Sequence, residues 1–187
     1  MYIPTPESIL KKAAIINPQN NDENCFLYCI LIHLKHLKWN DLDKWGGWWG
    51  VKKYEKHLHE LKLGDSIQMP MQLQDITKFE KLNNLYINVY GIDEEGDLNI
   101  FPLRICPDID DNFNTVINLL AIIGEKHNHY TYIHNFKRLV SSSSETPKWF
   151  CPYCLEGFIK TYSSAKNIFK LHKENCYART IISKYYE

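Results

Sequence analysis

Apolar positions follow a helical pattern in the first part of the chain. Residues 25–37 are apolar almost all round, which predicts a buried central helix, and residues 6–14 predict a shorter helix before it. Polar, turn-forming residues occupy 17–24 and predict a loop that leads directly into the central helix. Residues 39–80 are aromatic and charged, and they predict mainly helical or irregular structure.

Four strands are predicted further along the chain: residues 85–90, 98–105, 115–123 and 129–134. The first is predicted to end at Gly91, and the turn at 93–96 predicts a hairpin with the second. The third is a continuous apolar run, typical of a buried strand, and the fourth alternates. Asn135 is predicted to cap a short helix that ends at Val140.

A polar stretch of small residues predicts where the chain divides. Residues 141–147 read Ser-Ser-Ser-Ser-Glu-Thr-Pro, a composition typical of linkers. A chain of 187 residues is long enough for one domain of ordinary size and a small module. We therefore predict a core domain at 1–140, a linker at 141–148 and a small module at 149–187.

Composition narrows the classes of partner. Lys+Arg and Asp+Glu both number 22, so the formal net charge is zero and a strong overall attraction to nucleic acid is not expected. No apolar run approaches the ~20 residues of a membrane helix, so no membrane partner is expected. No signal-peptide pattern is visible either, which favours an intracellular, reducing compartment. The six cysteines are then expected to be thiols or metal ligands rather than disulfides.

Cys25 and His129 have the surroundings of a nucleophile and its base. Cys25 follows the polar loop and opens the apolar helix, where the helix dipole and an imidazolium partner can lower a thiol pKa. His129 begins the last predicted strand, on the opposite side of that strand from Tyr130. We interpret the pair as the nucleophile and the general base of a thiol-dependent hydrolase.

The supporting roles stay open at this point. Backbone N–H groups at the start of the helix, with the side-chain amide of Asn20 or Gln19, can bind an oxyanion, and we favour Asn20. The residue that orients His129 is not readable from the sequence. Asn135, Thr131, Asp22 and a residue on a neighbouring strand are candidates, although an N-cap role already accounts for Asn135.

A plainer interpretation competes with this one. A cysteine at the start of an apolar helix is most often a small buried hydrophobic residue, and a histidine at a strand start is most often on the surface or hydrogen-bonded. We expect Cys29, one turn into the helix, and Cys106, after the second strand, to be packing residues.

The last part of the chain carries a metal-binding pattern. Cysteines separated by two residues are followed by a histidine and a cysteine separated by three: Cys151, Cys154, His172 and Cys176. Thiolates and imidazole are the ligands that Zn²⁺ prefers, and four of them close a tetrahedral structural site. Phe158 and Leu171 are expected to supply the small apolar core. Such a finger can contact nucleic acid, contact protein or only stabilise the fold.

Several segments resemble one family of mobile-element proteins. The chain resembles the leading region of proteins encoded by Maverick (Polinton) elements, which often precedes a protein-primed family B DNA polymerase. The resemblance implies that this chain is a fragment or a free-standing relative of that region. It rests on residues 12–26, 78–84, 87–91, 129–130 and 138–142, and on the zinc pattern.

The core also resembles papain-like deubiquitinases, including those related to the herpesviral large tegument protein and the ovarian-tumour group. The latter group has Asp-Gly-Asn-Cys where this chain has Asp22-Glu23-Asn24-Cys25, and no acid follows His129 by two residues here. A cysteine-bearing helix, a helical lobe and an antiparallel sheet bearing the histidine come in the papain-like order.

These resemblances imply an α+β fold with a papain-like protease core that cleaves ubiquitin or ubiquitin-like conjugates through Cys25 and His129. Two alternatives stay open. The same residues can process a mobile-element polyprotein, or the chain is a non-enzymatic module whose finger binds nucleic acid or protein.

Overall fold

A computed structural model describes residues 2–36, 47, 49–93, 99–106, 116–124, 128–141, 148–161 and 163–185. Most of the predicted hairpin turn and most of the predicted linker lie outside the described residues, at 94–98 and 142–147. Much of the aromatic segment, at 37–46 and 48, lies outside them too. None of the described helices is both long enough and apolar enough to cross a membrane.

A helical part precedes the main run of strands along the described chain, and two short strands and a long helix follow it. The helices are α1 (Glu7–Lys12), α2 (Cys25–His36), α3 (Lys52–Glu55), α4 (Ile76–Asn83), α5 (Phe136–Val140) and α6 (Ala165–Tyr185). The strands are β1 (Ile15–Ile16), β2 (Tyr86–Asp93), β3 (Asn99–Arg104), β4 (Val116–Ile123), β5 (Asn128–Ile133), β6 (Lys148–Phe150) and β7 (Gly157–Ile159). Short 3₁₀ helices lie at Leu58–Glu60 and Leu73–Asp75. The predicted helices at 6–14, 25–37 and 136–140 are confirmed within the described residues.

The main sheet is mixed, and this corrects the prediction of an antiparallel sheet. Within the described chain five strands pair in the order β1-β5-β4-β2-β3. β2 and β4 are parallel, from Tyr86 opposite Val116 to Gly91 opposite Ala121, whereas the other neighbours are antiparallel. β3 turns back along one side of β2, and β4 enters on the other side in the direction of β2. The α+β class is confirmed.

Gly91 does not end β2, contrary to the prediction. The strand continues to Asp93, with Gly91 opposite Phe101 of β3. A Cβ atom added at Gly91 would lie 2.8 Å from the Phe101 ring. The glycine therefore makes room for a cross-strand aromatic ring and does not act as a strand terminator.

The sheet separates two apolar cores. α2 fills the first, where its residues from Cys25 to Ile32 are all buried and Phe26 packs edge-on against Tyr130 of β5. The second core lies on the other face and includes α1, α5 and Leu155 of the C-terminal module. Packing on both faces buries β4 along nearly its whole length, as its continuous apolar run predicted.

Candidate active site and metal centre

Asp22 organises the loop before α2. Its carboxylate accepts hydrogen bonds from the Asn20 amide (2.8 Å), the Asn24 N–H (3.1 Å), the Asn24 amide (2.9 Å) and the Tyr28 hydroxyl (2.9 Å). Partial burial tends to raise the pKa of Asp22, but these hydrogen bonds outweigh it and hold that pKa below its usual value. The loop is thereby fixed to the first turns of α2, and Cys25 becomes the first helical residue.

The first turn of α2 meets β5 immediately after His129. The Cys25 thiol is hydrogen-bonded by the backbone of Tyr130, and the Cys29 thiol donates to the Tyr130 carbonyl at 3.3 Å. Backbone N–H and C=O groups of a strand lie in the plane of the sheet, so both thiols approach the edge of β5. The structure thus brings Cys25 to the peptide group that joins His129 to Tyr130.

Asn17 holds the imidazole of His129. The pairing of Ile16 with Tyr132 places Asn17 beside Thr131, on the side of the sheet that also carries His129. The His129 Nε2 atom lies 2.7 Å from the Asn17 Oδ1 atom. Because the Asn17 Nδ2 atom donates elsewhere, Oδ1 is the acceptor, and we assign the proton to Nε2. Nδ1 is then the basic nitrogen of the neutral ring.

The three candidates named by residue for the orienting role have other contacts. Asn135 caps α5 by accepting from the Arg138 N–H at 2.9 Å, as predicted. The Thr131 hydroxyl donates to the Leu120 carbonyl at 3.2 Å, and Asp22 holds its own loop. Asn17 was missed because its contact with His129 spans 112 positions of sequence and depends on β1, a strand of two residues.

The structure places the two candidate oxyanion amides differently. Both hydrogen bonds from the Asn20 amide nitrogen go to Asp22, at 2.7 Å to its carbonyl and 2.8 Å to its carboxylate. Gln19 has an exposed side chain, and its backbone N–H is fixed by the Trp49 carbonyl at 2.9 Å. The first N–H groups of a helix have no acceptor within the helix, so the N–H of Cys25 is a second donor of the right kind.

Both candidate catalytic side chains are enclosed. Cys25 is 2% exposed and His129 is 0% exposed. Burial raises the pKa of the Cys25 thiol, although hydrogen bonds from the backbone at Tyr130 and Phe26 act in the opposite direction. The thiol is therefore protonated at neutral pH in this closed arrangement. The helix N-terminus is expected to lower the pKa of Cys25, but the removal of solvent from the thiol outweighs this effect.

The four predicted metal ligands converge. The ligand atoms of Cys151, Cys154, His172 and Cys176 all lie within 4.8 Å of one another. Cys151 and Cys154 lie on the turn between β6 and β7, while His172 and Cys176 lie one turn apart on α6. Three thiolates and one imidazole at this spacing fit a tetrahedral Zn²⁺ site. Burial, together with the neighbouring thiols, raises the pKa of Cys151 to about 12, so the thiol is protonated at neutral pH and a metal ion that binds there would displace its proton.

The small core of this module differs from the prediction in one residue. Phe158 packs as expected, with its ring 5.4 Å from that of Phe169 and 4.6 Å from that of His172. Leu171, however, is 61% exposed. It precedes His172 by one residue and so points about 100° away from it around the helix. Ala165 and Phe169 supply the buried face instead.

Glu156 was not singled out by the sequence and lies next to the metal site. Its carboxylate is 3.8 Å from the Nδ1 atom of His172, whose Nε2 atom lies 3.2 Å from the Cys154 thiol. A carboxylate on the far nitrogen favours the tautomer whose near nitrogen binds a metal ion. The ring is therefore oriented with Nε2 toward the cysteines.

The chain was also compared with known proteins. No protein-family model, no curated protein and no solved structure matches it.

Proposed function

We propose that this chain is a thiol-dependent hydrolase of the cysteine-protease type, with Cys25 as nucleophile, His129 as base and Asn17 as the residue that orients the base. One observation carries the proposal. The backbone of Tyr130 lowers the pKa of the Cys25 thiol, against the larger raising effect of burial, and the neighbouring residue His129 has its Nε2 atom 2.7 Å from the Asn17 Oδ1 atom. Enzymes that use covalent catalysis combine three such groups: a nucleophile, a base beside it and a third group that orients the base.

The proposed reaction requires the Cys25 thiol and the His129 imidazole to meet at the edge of β5. Cys25 gives its proton to Nδ1 of His129, and the thiolate attacks the carbonyl carbon of an amide or isopeptide bond. The oxyanion is bound by the Cys25 N–H and by an amide side chain; since the Asn20 nitrogen donates to Asp22, we assign that role to Gln19. The amine leaves with the proton from His129. Water, deprotonated by His129, then cleaves the thioester and releases the acid and the free thiol.

The resemblance to papain-like deubiquitinases supports ubiquitin or a ubiquitin-like protein as the substrate. Polyprotein processing by the same residues is the alternative within this class. Zinc in the C-terminal module would be structural, because four protein ligands complete its coordination and leave no position for a substrate.

An electrophilic ubiquitin probe tests this function. We expect a covalent adduct with the wild type that Cys25→Ala abolishes and His129→Ala slows by at least about a hundredfold, the usual contribution of a general base. Asn17→Ala should slow it by about tenfold or more, because the ring loses its orienting hydrogen bond. Intact-mass spectrometry with peptide mapping locates the adduct.

A matched variant controls for the thiol itself. Cys106 is also buried, but it lies beyond β3, and Cys106→Ala should leave the adduct rate unchanged. The ubiquitin assignment would be contradicted if folded, zinc-loaded protein forms no adduct. The same result is required of the Tyr2→Ala and Thr5→Val variants described below, in which Cys25 is expected to be more accessible. An adduct on any other cysteine would contradict the assignment of the nucleophile.

The second candidate is a non-enzymatic binding module, which the complete burial of His129 and the raised pKa of Cys25 favour. In that case the finger carries the function by contacting nucleic acid or protein. Lys166 and Lys170 are exposed one turn apart on α6 and suit a phosphate backbone. Binding of duplex DNA that weakens with salt and with Lys166→Ala/Lys170→Ala, in a protein whose Cys25 stays unreactive, would support this alternative.

A further inference from the structure

A short extended segment lies against His129 of the proposed site. This segment, Tyr2-Ile3-Pro4-Thr5, precedes α1 and is named the strap here. The Tyr2 ring meets the His129 ring edge-on, with centroids 5.8 Å apart at an interplanar angle of 77°. Tyr2 is itself 37% exposed, whereas His129 is 0% exposed. The strap is thus the layer between the imidazole and solvent at this point.

Asn17 binds the strap and His129 at the same time. Its Nδ2 atom donates to the Ile3 carbonyl at 2.9 Å and to the Thr5 hydroxyl at 2.8 Å. Its Oδ1 atom lies 2.7 Å from the His129 Nε2 atom. One amide therefore fixes both the ring and the segment that covers it.

We infer that the strap is a gate on the active site and that Asn17 is its latch: with the strap in place Cys25 and His129 are closed to substrate, and release of Ile3 and Thr5 from Asn17 opens them. The inference rests on the proposed function, because it gives the covered residues a reaction to control. Opening breaks only the Nδ2 contacts, so Asn17 can keep its Oδ1 contact with His129 and the ring stays oriented.

Gating also accounts for the raised pKa of the Cys25 thiol. The pKa of Cys25 is raised chiefly by burial, and its backbone hydrogen bonds already favour the thiolate. Solvent that enters when the strap leaves removes the largest opposing contribution. The same helix start then favours the charged nucleophile. The closed state is accordingly unreactive, and the open state is reactive.

Alkylation of Cys25 by iodoacetamide, a small electrophile, tests the gate in the full, zinc-loaded chain. Thr5→Val removes one acceptor of the latch, and Tyr2→Ala removes the ring that covers His129. Each should raise the alkylation rate of Cys25 at neutral pH by about fivefold or more, the factor expected when a closed state loses one ordinary hydrogen bond, as in Thr5→Val, or one aromatic contact, as in Tyr2→Ala. Thr161→Val, the same change at an exposed threonine of the finger module, should leave the rate unchanged.

Cys106 is the internal control for loosening of the whole fold. It is 2% exposed, so its alkylation in the same sample should stay slow in every strap variant. Equal Cys25 rates in the wild type and both strap variants would overturn the gate. A Cys25 rate that rises only in step with that of Cys106 would overturn it too, because the variant would then act by unfolding.

The ubiquitin probe separates the gate from the proposed function. If strap variants speed both iodoacetamide and probe labelling of Cys25, both proposals are supported. If they speed iodoacetamide labelling while the probe never reacts, the gate stands and the ubiquitin assignment fails. If the wild type and Thr5→Val react with the probe at the same rate, and also react with iodoacetamide at the same rate, the function stands and the gate fails.

Discussion

Asp22 is the residue on which the geometry of the candidate site most depends. It binds Asn20 and Asn24 on either side of it and the Tyr28 hydroxyl one turn into α2. We expect Asp22→Ala to lower the free energy of unfolding at pH 7 by about 1–2 kcal/mol, the usual loss when a side chain that accepts hydrogen bonds from partly buried groups is removed. Urea unfolding followed by circular dichroism measures this.

The pH dependence of that loss has a definite sign. The folded-state pKa of Asp22 is lowered, so its ionised form stabilises the protein above the unfolded-state pKa, and this contribution is lost as pH falls through the folded-state pKa. The difference between wild type and Asp22→Ala should therefore shrink in strongly acidic buffer. A difference that is the same at neutral and at strongly acidic pH would show that the carboxylate charge does not contribute.

At the same scale, sequence reasoning reached some residues of the site and not others. Cys25 and the metal ligands are marked by local patterns: a polar loop before an apolar helix, and fixed spacings between cysteines and histidine. Asn17 has no such pattern, because its role comes from a strand pairing that only the folded sheet creates. The hydrogen bonds of the Asn20 amide to Asp22 likewise appear only in the folded loop, so the sequence could not show which of Asn20 and Gln19 has an engaged amide.

Among the elements, α4 is joined to the sheet by a buried ion pair. The Glu80 carboxylate accepts from the Ile87 N–H at 2.7 Å and from the Arg104 guanidinium, which also donates to the Ile87 carbonyl at 2.6 Å. Both side chains are largely buried, at 8% and 12% exposure. The pair therefore fixes α4 against β2 and β3.

Removal of one partner should be costly. Arg104→Met leaves the Glu80 carboxylate buried without its cation, and we expect a loss of about 3–5 kcal/mol in the free energy of unfolding. Lys78→Ala on the same helix breaks only an exposed pair with Asp75 and should cost less than about 1 kcal/mol. Similar losses for the two variants in chemical denaturation would contradict a structural role for the buried pair.

Periodicity predicted the long elements well and the sheet topology poorly. The bounds of α2, β4 and β5 match the prediction to within one residue, although β5 is buried on both faces and does not alternate. β1 has two residues, too few for any alternation to be visible. The parallel pairing of β2 with β4 depends on the path of the chain between these two strands, which periodicity does not report. Local patterns report which face of a strand is buried, and they carry no information on which neighbour it pairs with.

At the scale of the whole molecule, the finger module is packed against the core domain. Leu155 follows the knuckle of Cys151 and Cys154 and has a φ of +63°. It packs with the second core, which contains Ile9 and Leu139. The sequence predicts a separate module after a linker, but a boundary in composition does not reveal whether the modules touch. A metal ion that holds the finger module together would therefore also hold Leu155 in the second core.

This connection predicts what chelation of zinc does to the protein. With the cation removed, three thiols and an imidazole no longer hold β6, β7 and α6 together, and Leu155 leaves the second core. We expect the thermal transition of the core domain, followed by near-ultraviolet circular dichroism, to fall by several degrees. That fall corresponds to the loss of about 1–2 kcal/mol, because Leu155 is a partly buried apolar side chain.

Leu155→Ala separates docking from metal binding. It should lower the same transition by a similar amount while zinc content, measured by mass spectrometry, stays at one ion per chain, because Leu155 is not a ligand. Chelation of the Leu155→Ala protein should then lower the core transition little further. A core transition that stays the same after both changes would contradict docking of the finger module through Leu155.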